Sequence, residues 1–206
     1  MRLTERPTHN ANGQPILYFT FDDGPAADTP AVLAALAAHR ALATFFVVGG
    51  RVQLLPELLQ AHLDAGHCVG NHSFSHPRLA HMPQALFLKE MHATAEAVRT
   101  AAGTRLANST MHIMRPPYGS TDANTEPWVN ALGYEMVLWD VDPEDWSEPG
   151  TETIVGRVLA GVAPAASVLL HDGGGDRSQT AAALHSLLPT LAAQGYVFHS
   201  LAGVAL

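Results

Sequence analysis

The chain has one cysteine, Cys68, so no intrachain disulfide can staple it. The residue reads as a small buried hydrophobe. Disulfides are permitted outside the cell rather than required, so their lack fixes no compartment. Basic residues are also few: 11 Lys and Arg stand against 19 Asp and Glu, a formal net charge of -8. With no basic run and no aromatic-basic interleaving, such a surface does not favour phosphate backbones, and no nucleic-acid partner is expected. No apolar run approaches the roughly 18 residues that span a bilayer, so no transmembrane segment is expected. The start, Met1 to Gln14, is polar and lacks an apolar signal region. It reads as a loose N-terminal extension. Either the protein is cytoplasmic or the numbering begins after a removed export segment. Internal repeats and low-complexity tracts are missing too.

What remains is a globular composition, 47% hydrophobic and 15% charged over 206 residues. That length suits one packed domain, here residues 15–206. Short apolar, β-branched or aromatic runs alternate with longer Ala/Leu-rich stretches of helical period. The strand-like runs are Ile16–Phe21, Ala43–Val48, His67–Asn71, Met111–Arg115, Tyr134–Asp140, Ser167–His171 and Tyr196–Leu201. The helix-like stretches are Thr29–His39, Leu55–Ala65, Pro83–Ala102, Asn124–Leu132, Thr151–Val162 and Thr180–Gln194. Gly66, Gly103, Gly133 and Gly195 close several of them. Such alternation predicts an α/β fold with parallel strands and crossover helices. The strands are continuously apolar, as in a sheet covered on both faces. A closed or partly closed barrel and an open doubly wound sheet both fit.

The polar residues gather after the strands. Asp22 and Asp23 end the first; Asn71, His72 and His76 follow the third; Arg115 ends the fourth. Asp142 and Asp145 follow the fifth, and His171 ends the sixth. The C-terminal ends of parallel barrel strands converge on one face, where the chemistry of such folds sits. His72 and His76 are spaced i, i+4, which predicts two imidazoles on one face of a helical turn. Two imidazoles and a carboxylate suit zinc, cobalt or a similar metal. The adjacent carboxylates Asp22 and Asp23 repel unless a cation lies nearby. One could hold a metal while the other is left as a base; capping of the helix near Thr29 is the structural alternative. The stiff run Arg115-Pro116-Pro117-Tyr118-Gly119 suits a groove wall. Asp142-Pro143-Glu144-Asp145-Trp146 combines acid with an indole. The remaining histidines, among them His62 and His67, read as surface positions or hydrogen-bonded core residues.

Five segments in order resemble the motifs of the polysaccharide deacetylase (NodB-like) family, carbohydrate esterase family 4. They are Thr20–Pro25, His72–His76, Arg115–Gly119, Asp142–Trp146 and Leu169–His171, and the likeness runs from about Ile16 to Leu201. The resemblance implies a distorted (β/α) barrel of seven strands. It implies one divalent metal ion, usually zinc and sometimes cobalt, held by Asp23, His72 and His76. It implies Asp22 as catalytic base and His171 as catalytic acid, with Arg115 against the base and Asp145 against the acid. Trp146 and Leu169 then resemble the walls of the acetyl-methyl pocket, and the Tyr118 backbone N–H an oxyanion donor.

The activity implied is hydrolytic deacetylation of a carbohydrate polymer or oligosaccharide. N-acetylglucosamine units in chitin, chito-oligosaccharides or peptidoglycan lead, and O-deacetylation of acetylxylan is the rival within the family. A non-catalytic carbohydrate-binding domain, using Trp128, Trp139 or Trp146, is the rival from another class. It leaves Asp22, Arg115 and His171 without a purpose. Because the family acts mostly on cell-wall or extracellular polymers, a secreted or cell-envelope location and a monomer are the expectations.

Overall fold

The computed structural model of the protein describes residues 6–106 and 111–201. It holds a seven-stranded, wholly parallel sheet. The strands are β1 (Ile16–Asp22), β2 (Thr44–Val47), β3 (Cys68–Asn71), β4 (Ile113–Met114), β5 (Glu135–Met136), β6 (Ser167–His171) and β7 (Val197–Phe198). Their order is β5-β4-β3-β2-β1-β6, with β7 paired to the start of β1. The helices between them are α1 (Thr29–Ala38), α2 (Gly49–Leu54), α3 (Pro56–Asp64), α4 (Gln84–Ala102), α5 (Thr125–Ala131), α6 (Thr151–Gly161) and α7 (Ser178–Ala193).

The seam of the barrel lies between β5 and β6. Val137 N–H donates to Met114 O on one side, while Asp140 N–H donates to Ser167 O and Leu169 N–H to Val141 O on the other. One stretch, 135–141, thus bonds to both edges of the sheet and closes it. This explains why β5 is shorter than the expected Tyr134–Asp140. The chain leaves one ladder to reach the other, and a crossing segment cannot pair along its whole length. The result is a distorted (β/α)7 barrel.

Strand periodicity decides what faces in. All seven residues of β1 are buried, but they alternate between two environments. Leu17, Phe19 and Phe21 pack in the larger cluster, with Val32 and Leu36 of α1 and Leu184, Leu187 and Leu188 of α7. Ile16 and Tyr18 join Phe46, Cys68, Ile113 and Val137 in a second cluster that contains no helix residue. The second cluster fills the space enclosed by the strands. Burying one such Phe or Leu contributes about 1.5–3 kcal/mol, so both clusters are needed to hold a sheet of short strands. Gly70 belongs to the enclosed space as well. A Cβ there would lie 2.5 Å from the Phe46 ring, so any other residue would expel that side chain.

Following β1 upward, the inward positions change from Ile16 and Tyr18 to Thr20 and Asp22. The barrel floor is apolar and its upper end is polar. On β6, Ser167, Leu169 and His171 take the same inward phase. One helix is added and one expectation changes. Helix α2 spans Gly49–Leu54, residues the sequence assigned to neither a strand nor a helix. Residues 6–14, read as loose, are tied down: Tyr18 Oη donates to Pro7 O at 3.0 Å and Ile16 N–H to Thr8 O at 2.9 Å. Residues 1–5 and 202–206 of the expected units lie outside the described residues. Among the described residues no helix is long and apolar enough to cross a membrane.

Candidate active site

A cavity of about 490 Å³ opens at the C-terminal end of the strands. Asp22, Asp23, His72, His76, Tyr118, Trp146, Leu169 and His171 line it, and Arg78, Trp139 and Asp142 complete it. Arg115 and Asp145 lie behind the wall, buried. Every site residue expected from the sequence is therefore at this cavity or directly behind it.

Asp23, His72 and His76 present three ligand atoms within 4.8 Å of one another, a group that could hold a metal ion. His72 Nδ1 lies 2.7 Å from Arg115 O, a bond that needs the proton on Nδ1 and leaves the Nε2 lone pair free. His76 Nδ1 lies 3.2 Å from Tyr118 Oη. Asp23 Oδ1 sits 2.9 Å from His76 Nε2 and 3.3 Å from His72 Nε2. It is buried and accepts no well-directed hydrogen bond. Close approach without proper hydrogen-bond geometry is what three ligand atoms aimed at a common cation would show. The donor set of two imidazoles and one carboxylate fits a borderline divalent ion. Burial alone would raise the Asp23 carboxyl, but the two imidazoles more than offset this and hold it far below the ordinary carboxylate range.

The turn that carries the histidines is not helical. Ser73 and His76 have φ of 62° and 60°, and Asp23 and Tyr118 also adopt left-handed backbone. The i, i+4 reasoning thus reached the right pair through the wrong local geometry. Non-glycine residues rarely adopt this region, and they persist there where surroundings over-determine them. Here Ser73 N–H donates to Asn71 Oδ1, and Glu90 of α4 accepts from Phe74 N–H and Ser75 N–H. Gly174 crowds the same group, since a Cβ there would lie 2.5 Å from Asp23 Oδ2.

Asp22 and His171 face each other in register across β1 and β6. Each has its own partner. Arg115, fully buried, gives Nη1 to Asp22 Oδ1 at 2.8 Å and to Thr20 Oγ1 at 2.7 Å. Its other donors reach Val137 O and Leu138 O of the seam. The guanidinium also lies 4.3 Å from the Phe46 ring centroid, so the enclosed aromatic serves as its floor. His171 Nδ1 lies 2.7 Å from Asp145 Oδ1. Burial works to lower the His171 pKa. Hydrogen bonding and charge from Asp145, with the charges of Asp22 and Asp23, outweigh it, and the pKa rises above its ordinary 6.5.

Tyr118 and Trp146 flank the opening, 59% and 53% exposed, which leaves aromatic faces available to a ligand. Leu169 is buried in the wall. Trp128 is not at the site; it packs against Phe87, ring centroids 5.4 Å apart. Sequence reasoning missed Arg78, whose guanidinium lies 4.5 Å from the Tyr118 ring centroid. The adjacency of Arg78 to the histidine turn was a signal, but one Arg in a loop is too common to single out. His62 also departs from expectation: both its ring nitrogens are buried without hydrogen-bond partners, 3.7 Å from Asp172 at the closest.

Comparison with known proteins agrees with this geometry. Residues 9–137 match the family described as Polysaccharide deacetylase. The chain is 40% identical over 203 residues to a chitooligosaccharide deacetylase of Sinorhizobium fredii (strain NBRC 101917 / NGR234), covering 93% of each chain. It is 38% identical over 190 residues to a peptidoglycan-N-acetylglucosamine deacetylase of Bacillus cereus, covering 91% of this chain and 86% of that one. The solved structure of peptidoglycan deacetylase PdaC from Bacillus subtilis superimposes with a TM-score of 0.83 at 34% identity, covering 93% of this chain and 90% of that one. With a matching family over more than half its length and relatives alike from end to end, the chain belongs to the polysaccharide deacetylase family.

Proposed function

We propose that the protein is a metal-dependent deacetylase that hydrolyses the N-acetyl group of N-acetylglucosamine units in chitin, chito-oligosaccharides or peptidoglycan. The relatives named for chitooligosaccharide and peptidoglycan deacetylation support the substrate class. The observation that carries the chemistry is the arrangement around one cavity. A three-ligand group lies between a carboxylate backed by Arg and an imidazole backed by Asp.

In this reading Asp23, His72 and His76 would hold one divalent ion, zinc or else cobalt. When bound there, such an ion would supply Lewis acidity and a lowered water pKa. Asp22 accepts the proton of the attacking water. Arg115 holds Asp22 in place through its Nη1. The Tyr118 backbone N–H donates to the oxygen on which negative charge develops; one such donor is worth about 10²–10³ in turnover. His171 gives its proton to the leaving nitrogen, and Asp145 keeps that proton on the ring and orients it. An amine leaves poorly without protonation, so a raised His171 pKa suits an amide substrate. Trp146 and Leu169 wall the methyl of the acetyl group.

Residues 15–206 form the catalytic domain in this account. The protein acts as a monomer, at the cell envelope or outside the cell, where such polymers lie. Acetate release from chito-oligosaccharides, peptidoglycan and acetylxylan, measured with and without chelator, tests the reading. Chelator-sensitive release from the N-acetylated substrates is expected. Release from acetylxylan alone, or none from any of the three, would overturn it.

A further inference from the structure

Asp145 is held by more than its histidine. Oδ1 takes the His171 ring N–H. Oδ2 takes two further donors, the His171 backbone N–H at 2.9 Å and Thr180 Oγ1 at 2.7 Å. Thr180 is in the first turn of α7 and is buried. Arg177, which precedes that helix and is also buried, gives Nη1 to the Asp145 backbone carbonyl at 3.2 Å. Its Nε and Nη2 reach Gly173 O at 2.9 Å and Gly174 O at 3.2 Å, on the loop that follows His171. Among the described residues no carboxylate lies within salt-bridge distance of this guanidinium, although its charge is felt by the neighbouring Asp176. A buried cation satisfied by main-chain carbonyls ties loops together rather than neutralising a charge.

We infer that Thr180, supported by Arg177, is a positioning residue for the His171–Asp145 pair. The inference rests on the reading of His171 as the proton donor. A carboxylate bonded only through one oxygen can rotate about its Cβ–Cγ bond and let the imidazole swing. With Oδ2 fixed by two donors, rotation would break both bonds in a buried site, each left unsatisfied at a cost. The ring therefore stays in one orientation, with Nδ1 on Asp145 and Nε2 left for the cavity. Thr180 is neutral, so it fixes the carboxylate without competing with His171 as counter-charge. The charged groups that act on His171 remain Asp145, Asp22 and Asp23. Thr180 and Arg177 both lie outside the motifs that carried the family resemblance. Thr180 reads simply as the start of a helix in the sequence.

The test compares the full-length, metal-loaded wild type with Thr180→Val, which keeps shape and removes the donor, and Thr180→Ser, which restores it. The readouts are kcat and KM on a chito-oligosaccharide across pH, metal content and thermal midpoint. The expected result is a kcat about tenfold lower in Thr180→Val, the rate equivalent of one weakened positioned bond. KM and metal content stay near wild type, and the basic limb of the pH profile is displaced. Thr180→Ser should return both rate and profile. If Thr180→Val does not fold, Thr180→Ala, which leaves room for a water, takes its place. A variant with a lower thermal midpoint but wild-type kcat and pH profile would overturn the inference, because the hydroxyl would then only satisfy a buried oxygen. His171→Ala in the same assay separates the two levels. Wild-type turnover there would overturn the proton-donor reading itself, whereas a dead His171→Ala beside a silent Thr180→Val would overturn the inference alone.

Discussion

Arg115 Nη1 lies 2.8 Å from Asp22 Oδ1, and both side chains are almost wholly removed from water. The pair joins the proposed base to the barrel interior. Asp22→Asn should abolish turnover and leave the metal content unchanged. It should also lower stability, because the buried guanidinium loses its counter-charge. Breaking such a pair outright costs about 3–5 kcal/mol, and the bonds to Thr20, Val137 and Leu138 should hold the loss below that. Kinetics, elemental analysis and urea unfolding on one preparation check all three. Retained turnover would remove Asp22 from the mechanism.

The metal group allows two tests of different kinds. His76→Ala deletes a proposed ligand and should lose the ion on dialysis. Gly174→Ala deletes nothing, yet its new methyl would press on Asp23 Oδ2, and the residue has a φ of 76° that disfavours any side chain. Metal affinity should fall in both variants, measured by competition with a chromogenic chelator. Wild-type affinity in Gly174→Ala would mean that the loop yields rather than the carboxylate.

The pH dependence of the reaction should be set at its basic end by His171. Its folded pKa lies above 6.5, so the protonated acid persists above that pH and is lost as pH rises through the raised value. Asp145→Asn removes the main groups that raise it. The basic limb should move to lower pH, and turnover should fall by about 10²–10⁴, the usual share of general acid catalysis. A limb that stays in place would assign it to another group.

Stability should respond to acid through His67. Ala43 N–H donates to its Nδ1 at 3.2 Å, so protonating that nitrogen would break the bond. Burial first, and His62 second, lower its pKa from 6.5 to about 4. A depressed histidine pKa means the unfolded chain binds the proton more readily. The folded state is therefore unpenalised above 6.5 and loses stability as pH falls from 6.5 toward 4. At about 1.4 kcal/mol per unit, the loss approaches about 3 kcal/mol. His67→Asn, which keeps an acceptor near Ala43, should flatten the difference between urea midpoints at pH 7 and pH 4.5. An unchanged slope would exclude His67.

Much of this architecture was legible in the sequence, for identifiable reasons. The run of β1 is long and wholly apolar until Asp22, so both the strand and its polar upper end are visible. The helices carry their period and their closing glycines. The short strands β4, β5 and β7 were visible as apolar runs, but their paired lengths were not, because pairing depends on where the barrel seam forces the chain to cross. Asp22, Asp23, His72, His76 and His171 stood out through rare residue types at strand ends. Thr180 and Arg177 did not, since a threonine and an arginine near a helix start have ordinary local explanations. Their shared partner Asp145 is 35 and 32 residues away in sequence, and only folding brings them together.

Strand β1 is an interior strand of the sheet, flanked by β2 on one side and β6 on the other, with β7 against its lower end. Its residues leave the ribosome well before those of β6 and β7. Contacts of such sequence separation close slowly, because most of the chain must be ordered before they form. Until then β1 is an exposed apolar strand with only one permanent neighbour, the kind of segment that invites aggregation. The pairing of Asp22 with His171 means that the two halves of the proposed chemistry meet only after the whole chain between them has been made. A nascent fragment that ends before β6 carries the proposed metal ligands and the proposed base yet lacks the proposed acid.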